Sequence, residues 1–305
     1  MSSQKIAVID IGSYTVRLVV YELTPSEIHE VFDDKAVCGL IHDLDLTGRM
    51  SDAGVALALE TLDHFAHVIE DLEIKSVYAL ATAASREAKN GPEFVQKAEK
   101  ILGVPLRVLT GVEEAYYAGM STLAAIPDAL GICGDLGGGS LELTRIEDHH
   151  PVENQQISLP LGHLRMADHI EAGEDVDAVI HQTLSEVAWL DESTTPTFYA
   201  IGGRWRDVAK LYCNRKKEDP DAYSELFSNG LSVSAKKLSK FLQKKIIHHE
   251  KRHDEPVYPA AIVMQGIIDI IQPKEIVFIH NSLREGFLYA SGLWPGTNSS
   301  LVSEK

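Results

Sequence analysis

Two short runs near the start of the chain, Lys5 to Gly12 (KIAVIDIG) and Thr15 to Leu23 (TVRLVVYEL), are dense in Ile and Val and flank a Gly-Ser turn, which predicts a pair of strands. A third strand is expected near Glu30 to Leu40. The period then lengthens. Ser51 reads as a helix N-cap, and Val55, Leu59, Leu62, Val68, Ile69 and Leu72 recur at roughly helical spacing, so a helix is predicted to about Leu72. Ser76 to Ala84 (SVYALATAA) reads as a strand, and Pro92 near the start and Gly103 after the end bracket a second helix. A strand at Leu106 to Thr110 and a helix at Val112 to Ile126 follow. The order βββαβαβα predicts an α/β fold with a mixed sheet flanked by helices.

The pattern then restarts. Leu130 to Gly139 (LGICGDLGGG) and Leu141 to Ile146 (LELTRI) repeat the opening strand pair, D-x-G included, and Asp135 lies 125 residues after Asp10. That is an internal duplication. The second half adds a helix at Val176 to Leu190, a strand at Phe198 to Gly203, helices near Trp205 to Asn214, Ser234 to His249 and Tyr258 to Ile271, a strand at Glu275 to Asn281 and a helix at Leu283 to Leu293. Two related domains are expected, residues 1–119 and 120–305, with the extreme C-terminal tail able to pack back on the first and the working site in the cleft between them.

Composition narrows the class. At 305 residues, 45% hydrophobic and 24% charged, the chain can bury two ordinary cores, at about 150 residues per domain. The most apolar stretch, Tyr258 to Ile271, is broken by Gln265 and Asp269, so no membrane span is expected. MSSQKIAVIDIG has no basic leader, and Cys38, Cys133 and Cys213 are too few and too widely spaced for a disulfide framework, which points to a reducing cytoplasm. With 28 Lys+Arg against 45 Asp+Glu the net charge is −17, which disfavours nucleic acid as a partner. The charge is uneven. Arg204 to His253 carries 13 basic and 6 acidic residues, a local +7 that leaves −24 for the remainder, a segregation suited to a polyanion.

A strand that ends in D-x-G-S and turns into another offers backbone N–H groups to a phosphate, because glycine lets the ligand approach, and a carboxylate to a hydrated cation. One such loop is an ordinary hairpin turn. Two copies at a domain-length offset, Asp10-Ile11-Gly12-Ser13 and Asp135-Leu136-Gly137-Gly138-Gly139-Ser140, make a stronger case for a phosphate clamp. In the helix from Ser234, Lys236, Lys240 and Lys244 share a face opposite Leu238, Phe241, Leu242 and Ile246, either a solvated amphipathic face or, with Arg215-Lys216-Lys217 nearby in sequence, a track for a polyanion. His248, His249 and His253 contain an H-x₃-H spacing without a third ligand cluster, too little for a zinc site.

The twin D-x-G loops resemble those of the actin and sugar-kinase superfamily, and the motifs between them are similar to those of the exopolyphosphatase/guanosine pentaphosphate phosphatase family. ATAASREAKN (Ala81 to Asn90) is similar to the family's T-x-x-x-R-x-A-x-N strand end, and TGVEEAYYAG (Thr110 to Gly119) to its S-G-x-E-E-A motif. GDLGGGSLEL (Gly134 to Leu143) matches D-x-G-G-G-S-x-E-L, and SLREGFLY (Ser282 to Tyr289) the closing L-R-E-G segment. The resemblance covers nearly the whole chain, and a short, two-domain form without the C-terminal helical extension of the family's long members is expected.

The resemblance implies two actin-like (ribonuclease H-like) domains and hydrolysis of the terminal phosphoanhydride of inorganic polyphosphate. It further allows guanosine tetra- or pentaphosphate as a ligand and a homodimer, and implies Mg²⁺ as the cofactor. It casts Glu114 as the catalytic base and Arg86 as the phosphate-binding arginine, with Asp10, Asp135 and Glu142 holding the metal. Gly12, Ser13, Tyr14, Gly137, Gly138, Gly139, Ser140, Gly202 and Gly203 would face phosphate. From the residues alone, Glu113 and Glu114 could simply decorate a helix N-terminus, and Glu142 could face outward. The chain departs from the family pattern at Tyr14, where Asn is usual, at Arg204, where a small hydroxyl residue is usual, and near Ser282, where glycine is common. A nucleotide-dependent kinase and a noncatalytic alarmone or polyphosphate sensor are the alternatives.

Overall fold

The computed structural model describes residues 4–25, 27–42, 44–191, 196–214, 230–248 and 255–294. The chain gathers into two units. One holds residues up to Glu114 and takes the chain back from Phe287, and the other is Ala115–Gly286, the division falling in the helix Gly111–Ala125 that carries Gly119.

In the first unit, β1 (Gln4–Ile11), β2 (Thr15–Leu23) and β3 (Ile28–Val37) form an antiparallel meander, and β4 (Ser76–Ala81) and β5 (Leu106–Val108) continue the sheet in parallel on the other side of β1. The order is β3-β2-β1-β4-β5. β1 is central, which is why Ile6, Ala7, Val8 and Ile9 are buried on both faces and read as an unbroken apolar run. β3 lies at the edge and carries a register shift opposite Val20 and Tyr21, a bulge that blunts an exposed strand.

The second unit repeats the plan. β6 (Gly131–Leu136), β7 (Leu141–Glu147) and β8 (His150–Leu159) form the meander, and β9 (Thr197–Ile201) and β11 (Glu275–Phe278) run parallel to β6. β10 (Leu231–Ser234) adds an antiparallel outer strand, giving β10-β11-β9-β6-β7-β8 among the described residues. The two hairpin turns close alike, Gly12 N–H to Thr15 O at 2.9 Å and Gly137 N–H to Ser140 O at 3.0 Å. This is the plan of mixed, helix-flanked sheets, repeated once, that the sequence pattern predicts. Trp205, fully buried, anchors the helix Gly203–Asn214 by stacking edge-on against Phe198 and donating its indole N–H to Ala260 O at 3.0 Å.

Local signals are accurate where chemistry fixes an end. Ser51 Oγ accepts the Gly54 N–H of the helix Asp52–Asp71, and Gly103 closes the helix Gly91–Leu102 in the left-handed region at φ 67°. Elsewhere the pattern misleads. The strand from Ser76 stops at Ala81 and gives way to a short helix, Ala83–Glu87, which carries Arg86. The helix predicted over 176–190 is two, Val176–Ser185 and Ala188–Asp191. β8, β10 and the helices Leu44–Thr47 and His163–Glu171 have no counterpart in the hydrophobic pattern. All three cysteines are buried, and none is in a disulfide among the described residues. Among the described residues no helix is long and apolar enough to cross a membrane.

Asn90, the last residue of the Arg86 motif, is buried and grips the backbone of Met50 twice, accepting its N–H at 2.9 Å and donating to its carbonyl at 3.1 Å. Asn90→Ala strands both buried groups, at about 1–3 kcal/mol each. Urea unfolding should show a midpoint lowered in proportion with the m-value unchanged; an unchanged midpoint would contradict this role.

Candidate functional site

Parallel strands in an open sheet point the same way, and the loops at their C-terminal ends collect on one edge. In the first unit those loops are Gly12–Tyr14 after β1, Thr82–Glu87 after β4 and the segment leading to Glu114 after β5, so three motifs far apart in sequence meet on one sheet edge. Backbone contacts stitch them together: Thr82 N–H donates to Ile11 O at 3.1 Å and Leu109 N–H to Ala81 O at 2.9 Å.

The first loop is held by its carbonyls. Ser13 O accepts the Ile41 N–H, and Tyr14 O accepts those of Cys38 and Gly39, each at 2.9 Å. In a trans peptide the C=O and the following N–H are antiparallel, so the N–H groups of Tyr14 and Thr15 are turned away from the segment that holds the carbonyls. The Tyr14 ring meets that of His42 edge-on, with centroids 6.4 Å apart.

Glu113 and Glu114 divide their work. Thr110 and Glu113 form a reciprocal capping box: Glu113 N–H donates to Thr110 Oγ1 at 3.2 Å, and Glu113 Oε2 accepts the Thr110 N–H at 2.8 Å. Burial pushes the Glu113 carboxyl up, but hydrogen bonds from Thr110 and Arg107 outweigh it and hold the group below its usual value. Glu114 is buried and receives the Arg86 Nη1–H on Oε1, while the same Nη1 donates to Leu109 O at 2.9 Å. Helix capping therefore falls to Glu113, and Glu114 faces an arginine.

The second unit has the same edge, with Gly137–Ser140 after β6, Gly202-Gly203 after β9 and residues 283–286, the start of the helix Leu283–Ala290, after β11. The loop's carbonyls are again taken: Gly137 O accepts the N–H of His163 at 3.1 Å and Gly138 O that of Leu164 at 3.0 Å, at the N-terminus of the helix His163–Glu171. His163 Nδ1–H reaches Gly137 O at 2.8 Å and Arg165 Nε–H reaches Gly139 O at 3.1 Å. The N–H groups of Gly138, Gly139 and Ser140 are consequently turned the other way. The approach is close enough that a Cβ on Gly162 would lie 2.3 Å from Gly138 O. Gly202, at φ 117°, is equally constrained, since a Cβ there would lie 2.6 Å from Leu136 O. Ser282 donates its N–H and its hydroxyl to Glu285 Oε2, both at 2.7 Å, and so caps the start of the helix Leu283–Ala290.

Register decides which way Glu142 faces. Asp135 pairs directly with Glu142, and Glu142 with Ser158, so the three share one face across β6, β7 and β8. Ser158 Oγ donates to Glu142 Oε1 at 2.7 Å. The equivalent row of the first unit is Asp10, Arg17 and Lys35, with Arg17 bound through two nitrogens to Asp33 at 2.5 and 2.6 Å. The duplicated rows have diverged in charge.

The lysine face is shorter than its spacing implies. The helix is α-helical only over Ala235–Leu242 and turns π-helical over Gln243–Ile247, so Lys236 and Lys240 keep one face while the wider turn takes Lys244 off the i+4 line. Lys236, Lys240 and Lys244 are all exposed. The helix starts beside Lys274, whose carbonyl accepts the Ala235 N–H at 3.1 Å, at the sheet edge opposite the Gly137 loop. Arg215-Lys216-Lys217, His249 and His253 lie outside the described residues. Among the described residues no cluster of three or more His, Cys, Asp or Glu could hold a metal. His163 and Arg165 escape a reading of the sequence because their partners are carbonyls of the preceding loop, and nothing in LPLGHLR encodes that contact beyond Gly162.

Residues 19–293 match the model of the Ppx/GppA phosphatase family. Exopolyphosphatase 1 of Mycobacterium leprae is 31% identical over 166 residues, 52% of this chain and 47% of that protein, so the match spans about half the length of that curated relative. A solved exopolyphosphatase from Cytophaga hutchinsonii superposes with a TM-score of 0.79 at 21% identity, covering 94% of this chain and 97% of that one. The Aquifex aeolicus member of the Ppx/GppA family superposes at 0.76 and 22% identity, over 97% and 100%. At these identities the structural likeness speaks for the fold alone.

Burial, aided by the charge of Arg204, pushes the His163 pKa from 6.5 down to about 4 against the opposing pull of its hydrogen bond to Gly137. Between those values the unfolded chain binds a proton that the folded one refuses, so this contribution is complete above about pH 6.5 and is lost as pH falls toward 4. The advantage of the parent over His163→Asn in unfolding free energy should shrink by up to about 3 kcal/mol across that window, at about 1.4 kcal/mol per unit. A difference that does not vary with pH would contradict the assignment.

Proposed function

The chain belongs to the Ppx/GppA phosphatase family, and from that membership we propose that it is an exopolyphosphatase, hydrolysing the terminal phosphoanhydride of inorganic polyphosphate, with guanosine pentaphosphate as a second substrate. The observation that carries the reading is Glu114: a buried carboxylate held by Arg86 at a sheet edge shared with a turned-out N–H loop, its capping duty taken over by Glu113.

In this reading the outward N–H groups of each glycine loop, and the helix start at Gly202-Gly203, take phosphate oxygens. Arg86 offers its planar fork to phosphate. Glu114 accepts the proton of a water as that water's oxygen attacks the terminal phosphorus, and the bridging P–O bond breaks, leaving a chain shorter by one phosphate. Asp135 and Glu142 suit Mg²⁺, being two oxygen donors in one row, with Ser158 orienting the second. Bound there, the ion would neutralise charge on the phosphates. Asp10 shares its row with Arg17 and Lys35 and is the weaker candidate ligand. Lys236, Lys240 and Lys244 would meet only a long polyanion, because their helix begins at the far sheet edge.

Glu114→Gln should retain substrate binding and lose about 10²- to 10⁴-fold in kcat, the usual contribution of a general base. Unchanged turnover would remove Glu114 from the role. Replacing Lys236, Lys240 and Lys244 together with Gln should raise KM for long polyphosphate far more than for a short oligomer, with the difference shrinking as salt rises. Equal changes for both substrates, or none, would mark these lysines as a solvated surface.

A further inference from the structure

Three glycines in a row make a loop with more conformational freedom to lose than any other sequence. The first loop contains one glycine, and the backbone N–H groups of Cys38, Gly39 and Ile41 hold its Ser13 and Tyr14 carbonyls. The Gly137–Gly139 loop has backbone donors from the start of the helix His163–Glu171 and, in addition, two side-chain donors. A carbonyl can only accept, so the His163 nitrogen 2.8 Å from Gly137 O carries its proton on Nδ1. His163 is 8% exposed, and its neutral form keeps that tautomer without a competing water shell. Gly162, just ahead of it, has no room for a Cβ against the Gly138 and Gly139 backbone. The histidine and arginine thus clamp the first and last carbonyls of the glycine run, and the peptide planes between them have little freedom left to flip.

We propose that His163 and Arg165 are positioning residues of the second loop, whose side-chain donors fix the loop's N–H groups in the outward orientation that binds phosphate. The inference rests on the reading that this loop takes phosphate. Neither side chain is asked to touch substrate. Each acts through the peptide plane it holds, so its loss should weaken phosphate binding and leave the chemical step nearly untouched.

The test uses the full chain, with inorganic phosphate as the calorimetric probe and tripolyphosphate as the kinetic one. His163→Asn places an amide donor where Nδ1 sits, whereas His163→Gln has similar bulk but carries its amide farther out. The glutamine variant should bind inorganic phosphate about 5- to 10-fold more weakly, and KM for tripolyphosphate should rise by a similar factor with kcat within about 3-fold, as expected for one lost hydrogen bond. The asparagine variant should stay within about 2-fold of the parent. Arg165→Gln, independent of the histidine, should also weaken phosphate binding. A merely structural role would lower Tm for the variants without separating Asn from Gln in phosphate affinity. If the parent binds phosphate and all three variants bind it equally well, the positioning role is overturned while the proposed function stands. If the parent binds neither probe, both fall.

Discussion

A trans peptide that commits its carbonyl to one side must present its N–H on the other, and both glycine turns of this protein obey that constraint. In the first unit the carbonyls of Ser13 and Tyr14 are consumed by the backbone at Cys38–Ile41; in the second, those of Gly137, Gly138 and Gly139 are consumed by the start of a helix and by two of its side chains. The helix gains as well, since its first N–H groups have no partners within it and find them in the loop. Capping and ligand geometry are therefore one interaction seen from two sides. Beside the second loop, Gly162 and Gly202 are needed because the backbones there approach too closely for a Cβ.

Duplication supplied the two loops, and divergence gave them different surroundings. The sheet orders match strand for strand apart from the outer β10, and the residues after each first strand form the same turn. Along the neighbouring row, however, Asp135 faces Glu142 and Ser158, while Asp10 faces Arg17 and Lys35. An acidic row attracts a divalent cation, and a row carrying its own cations has less need of one. The same backbone plan thus supports two electrostatic settings.

Much of this is legible from local chemistry. Central strands appear as unbroken Ile/Val runs, Ser51 and Gly103 mark helix ends, and the D-x-G pair announces the repeat. What stays hidden depends on partners distant in sequence. β8 reads HPVENQQISL, too polar to be taken for a strand, and it forms because β7 offers a paired edge. The orientation of Glu142 follows from cross-strand register, which alternation alone leaves open. Thr110 and Glu113 do carry a readable T-x-x-E signature, and the spacing of that signature by itself separates Glu113 from Glu114. The π-helical turn after Leu242 has no equivalent signal, and a uniform 3.6-residue period carries Lys244 onto the wrong line.

The claim that ties these features together is hydrolysis at the end of a phosphoanhydride chain. A time course of orthophosphate release in Mg²⁺, from long-chain polyphosphate and from guanosine pentaphosphate with ATP as control, addresses it most directly. The account predicts steady release from polyphosphate, measurable release from guanosine pentaphosphate and none from ATP. Release from ATP equal to that from polyphosphate, or no release from either phosphate chain, would contradict it.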